Sequence, residues 1–118
     1  MITRLAFTMA IGGLLISAWA HAECEYPKPP EAVPNPSSAT EAEMIAAMQT
    51  FKQYNTDVDS YVSCLEDETK DKIKEAGGAS AIMQIKAIQA KKKSAATDER
   101  QAKVDAFNKA VRAFKAKG

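Results

Sequence analysis

The chain has 118 residues, 46% of them hydrophobic and 26% charged, with 16 Lys and Arg against 15 Asp and Glu for a formal net charge of +1. That length holds one domain, the composition is that of a packed protein, and near-neutrality argues against nucleic acid as a partner. The only histidine, His21, and the only tryptophan, Trp19, fall in an N-terminal segment that reads as a removable leader. A mature chain without imidazole lacks the commonest general base and the commonest metal ligand.

Residues 1–22 carry a basic start at Arg4, an apolar run over residues 5–16, and small residues ending Ala20-His21-Ala22. This is the order of a signal peptide, and cleavage after Ala22 leaves Glu23 as the new N-terminus. The apolar run is too short for a membrane anchor, which needs about 20 residues. Glu23 fills the place where a lipidated cysteine would have a small residue before it, so Cys24 reads as unlipidated. The expected location is the periplasm, or secretion beyond it. In such an oxidising compartment the two cysteines, Cys24 and Cys64, are expected to pair, with two buried free thiols as the alternative.

All five prolines lie between Pro27 and Pro36, which marks residues 23–39 as an extended, proline-rich arm. Thr40-Glu41-Ala42-Glu43 then forms a capping box that opens a helix. Neither proline nor glycine follows until Gly77-Gly78, so this helix is expected over about 40–76, with Gly77 as a left-handed cap. Its predicted seam is Met44, Met48, Phe51, Asn55, Val58, Val62 and Leu65, alternating steps of four and three. Tyr54, Tyr61 and Ile45 lie beside it.

A second helix is expected over about 79–117, with Ile82, Met83, Ile85 and Ile88 early and Val104, Phe107, Val111 and Phe114 late. Ser94 to Asp98 is weaker, and Asp98 with Gln101 could open a new capping box, so a break near 94–98 stays open. Two arms about a double glycine predict an all-α fold: a long antiparallel, coiled-coil-like hairpin formed by residues 40–118. Folding symmetrically about the glycines opposes Met48 to Phe107, Met44 to Val111 and Phe51 to Val104.

Length supports a staple. Thr40 to Cys64 spans about 36 Å as helix, and Cys24 to Pro36 about 37 Å as polyproline. The arm can therefore run back along the first helix, join Cys24 to Cys64 and bring Tyr26 near Tyr61.

No catalytic constellation can be built from these residues. Without a mature histidine and with both cysteines paired, Ser-His, Cys-His and zinc patterns cannot be assembled, and no phosphate-binding glycine loop occurs. The chain is expected to be no enzyme and to need no cofactor. Met44 and Met48, one turn apart, could offer thioethers to a soft metal, but the register makes them core. Glu66, Asp67, Glu68 and Asp71 lack the glycine turn of a calcium loop and read as a solvated face.

Charge is divided along the chain. Residues 23–68 hold ten acids against Lys28 and Lys52, whereas residues 69–118 hold thirteen bases against five acids. Paired arms of opposite sign neutralise each other and fix the hairpin. The alternative is that Lys91, Lys92, Lys93, Arg100, Lys103 and Arg112 contact anionic lipid or lipopolysaccharide.

Cys24 with Pro27 and Pro30, the run from Tyr61 to Leu65 with Glu68, and the closing run from Phe107 to Lys115 together resemble a group of small exported envelope proteins of Gram-negative bacteria. That group carries no assigned activity. The resemblance implies a stapled helical hairpin in the cell envelope. The expectation is a non-enzymatic structural or interaction module, partnered by a second copy or by another envelope protein.

Overall fold

The computed structural model describes residues 23–118. The leader expected over residues 1–22 lies outside them. Two helices, α1 (Glu41–Glu75) and α2 (Ala79–Ala116), form an antiparallel hairpin, with no strand among the described residues. Neither helix is long and apolar enough to cross a membrane.

The start of α1 follows from its first residues. The Thr40 hydroxyl accepts from the Glu43 amide at 3.1 Å, and Glu43 Oε2 accepts from the Thr40 amide at 2.9 Å, completing the capping box. At the other end the cap differs from expectation. Ala76 leaves the helix in extended conformation, and Gly78, not Gly77, takes positive φ (153°, ψ −180°). That region is open essentially to glycine alone.

The side-chain pairing is offset from the symmetric expectation. Phe51 stacks on Phe107, with centroids 4.5 Å apart and planes at 13°, where symmetric folding would oppose Met48 to Phe107. The expected opposition of Phe51 to Val104 is thus displaced by close to one turn. Side chains tilt toward the N-terminus of their own helix, so in an antiparallel pair the residues that touch are offset from those level along the axis.

The seam shifts phase as well. Met44, Phe51, Tyr54, Val58, Tyr61 and Leu65 are buried, whereas Met48 stays 37% exposed and Asn55 and Val62 are half-buried. The cause is the arm, which covers one flank of α1 and draws Tyr54 and Tyr61 inward. Met48, Asn55 and Val62 face the other flank.

Helix α2 is continuous through residues 94–98. Ala96 is buried against α1, and the Thr97 hydroxyl donates to the Lys93 and Ser94 carbonyls within the helix. Gln101 donates to Asp105 at 2.9 Å instead of closing a box with Asp98. Near the tip, Met83 and Ile88 are 72% and 55% exposed, and the buried position falls to Gln89.

Candidate functional site

The chain's chemistry is concentrated where the arm meets the hairpin. Cys24 and Cys64 are joined in a disulfide with Cα atoms 5.7 Å apart, as the lengths of arm and helix allow. Such a bond is compatible with an oxidising compartment. Tyr26 meets Tyr61 edge to face at 5.3 Å. Tyr54 and Glu99 complete this cluster, tying the arm to both helices.

All three phenols are shifted upward. Burial is the largest cause in each; the Glu99 carboxylate adds to it for Tyr26 and Tyr54, and the Glu68 carboxylate for Tyr61. Glu68 itself is pulled down, chiefly by its hydrogen bond from Lys72 at 2.7 Å. Its other oxygen, Oε2, lies 3.2 Å from Cys24 Sγ.

A second anchor holds the far end of the arm. Asn35 makes a compact turn: its side-chain oxygen accepts from the Ser37 amide at 2.9 Å and its carbonyl from the Ala39 amide at 2.8 Å. This turn offers the Pro36, Ser37 and Ala39 carbonyls to Lys117 Nζ at 3.1, 3.4 and 3.3 Å. The same ammonium lies 4.9 Å from the Phe114 ring centroid. A cation near the end of α2 thus satisfies turn carbonyls that would otherwise compete for water.

The six bases proposed for anionic contact do not gather on one face. Lys93 pairs with Glu66 at 3.4 Å and Arg100 with Asp59 at 2.6 Å, both bridging α1 and α2. Lys92 acts on Glu68 from the arm side. Lys91 and Arg112 are exposed and Lys103 is half-buried, distributed around α2 by its 3.6-residue repeat. The acidic cluster is divided too, since Glu66 and Glu68 have separate basic partners. No group of three potential metal ligands is found among the described residues. Met44 is core, as expected, while Met48 lies at the margin.

Two features escape sequence reasoning. Gln89 is 5% exposed; its amide nitrogen reaches the Leu65 carbonyl at 3.5 Å, and its Oε1 has no protein partner. Its only signal was a polar residue at the seam spacing of Ile82, Ile85 and Ala96. The Lys117 anchor has no local signal, because its carbonyls lie about 80 residues earlier in the chain.

Shallow clefts flank the disulfide, one lined by Tyr26, Pro27, Asp57 and Tyr61, another by Glu23, Asp67, Glu68 and Glu75. Comparison of this chain with protein families, curated proteins and solved structures gives no match.

Proposed function

We propose that this chain is an exported, non-enzymatic interaction module of the cell envelope, akin to the small Gram-negative proteins it resembles. The observation that carries the reading is the asymmetry of the hairpin. One face is occupied by the chain's own arm, stapled through Cys24 and Cys64, while the opposite face leaves Met48 exposed and Val62, Val104 and Val111 half-buried. That uncovered flank, apolar at Met48 and the edges of the three valines and lined by the Asp59–Arg100 and Glu66–Lys93 pairs, is a surface for another protein.

Export is supported by the order of residues 1–22 and by the closed disulfide. Periplasmic location and cleavage after Ala22 belong to this reading. A photo-crosslinking residue placed at Met48 of the exported protein tests it. The expected result is one discrete protein adduct in the envelope fraction; retention in the cytoplasm, or no protein adduct from the envelope, would overturn it.

A further inference from the structure

Resting on that reading, we infer that the armless face takes a second copy of this chain, with both hairpin tips at the same end. Helical periodicity places Met48, Asp59, Val62, Glu66 and Ile73 of α1 on the flank opposite Tyr61, Cys64 and Glu68, which meet the arm. On α2 the equivalent flank carries Met83, Lys86, Lys93, Arg100, Val104 and Val111. The Asp59–Arg100 and Glu66–Lys93 pairs bridge the two helices on this side.

Size permits an interface. Thirty-five residues of α1 span about 52 Å, and two helices are about 20 Å wide. The face therefore offers about 1,000 Å² per copy, somewhat more than the roughly 800 Å² of a standard interface. No described segment reaches it, because the arm runs along the other side.

Charge then selects the geometry. A twofold axis across the helices stacks α1 on α1 and α2 on α2, with the tips at opposite ends. That arrangement lays Lys86, Lys93 and Arg100 of one copy over the same cations of the other, with Asp105 only at the outer margin. An axis along the helices stacks α1 of each copy on α2 of the other. Asp59 and Glu66 then gain a second cation each, and Asp59 alternates with Arg100 around one level of a four-helix bundle. Lys52 and Lys70 of α1 lie away from that level. Met48 faces Val104 and Val111 of the second copy at the open end, and Ile73 comes near Met83 at the tip. Every neighbouring helix pair runs antiparallel, as in up-and-down bundles.

Sedimentation of the oxidised protein, followed by distance measurement between nitroxides on A79C, tests this directly. With Cys24 and Cys64 paired, the introduced thiol is the single reactive one. A dimer whose labels lie within about 25 Å, two helix diameters, is expected. M48E should shift the population to monomer without loss of helical circular dichroism. A monomer at hundreds of micromolar, a dimer with labels about 50 Å apart, or an open polymer would each overturn the inference. An exported monomer that crosslinks to another envelope protein through Met48 would do so while leaving the interaction reading standing.

Discussion

Reducing the Cys24–Cys64 bond should release the arm before the hairpin melts. The bond closes a loop with a sequence separation of 40. In the chain-entropy account, opening such a loop costs about 4 kcal/mol at 25 °C. Ordering the arm costs about 1–2 kcal/mol per residue, and its anchors are spread thinly along it: the Tyr26 contact, the buried Pro27 and Ala39, Val33 against the core, and Lys117 on the turn carbonyls. The hairpin keeps contacts that do not involve the arm, above all Phe51 on Phe107. For a domain of this size 1 kcal/mol corresponds to about 4–8 °C, so reduction should lower the melting temperature by about 15–30 °C. Circular dichroism with and without reductant, and on C24A/C64A, measures the shift. Amide exchange at Ser38 and Ala39, whose N–H groups bond to Asn35, reports the arm. A shift under about 5 °C, or arm amides as protected after reduction as before, would refute the reasoning.

Other outcomes follow from the core and its margins. F107A should cost about 3–5 kcal/mol in denaturant unfolding. A double-mutant cycle between Phe51 and Phe107 should give a coupling of about 1 kcal/mol, and one between Met48 and Phe107 little. T40A should remove about 1 kcal/mol, read from the same unfolding curves. The chain's three tyrosines all belong to the arm cluster, so phenolate absorbance reports that site alone. Their folded pKa values are raised above 10.0, so the native state holds these protons to higher pH than the unfolded chain. Their contribution to stability is present below pH 10 and lost as pH climbs through the raised values. Phenolate should therefore appear later than in a free peptide and together with arm release; titration at the ordinary value with the arm still protected would contradict the cluster.

Much of this architecture is written locally. The crowded prolines forbid helix, the Thr40–Glu43 box starts one, and a chain free of proline and glycine up to Gly77 sustains it. Two cysteines in a chain read as exported suggest the Cys24–Cys64 pair, and the lengths of arm and helix allow it and bring Tyr26 near Tyr61. What was not legible depends on the third layer and on the direction of side chains. A two-helix seam and a two-helix seam flanked by an arm differ by one position, which decides between Met48, Asn55 and Val62 and the buried Tyr54 and Tyr61. The one-turn offset of Phe51 against Phe107 follows from the tilt of side chains toward each helix's own N-terminus, which a symmetric pairing of positions ignores. The same holds for charge: composition separates an acidic arm from a basic one, but only the fold commits Lys93 to Glu66, Arg100 to Asp59 and Lys117 to the turn carbonyls.

The central claim is a chain exported, trimmed at Ala22 and closed by its staple. The intact mass of the protein recovered from the periplasm, taken without reductant, tests it most directly. One species is expected, beginning at Glu23 and lacking two hydrogens relative to its reduced form. A species retaining the leader, or a trimmed one with both thiols free, would contradict it.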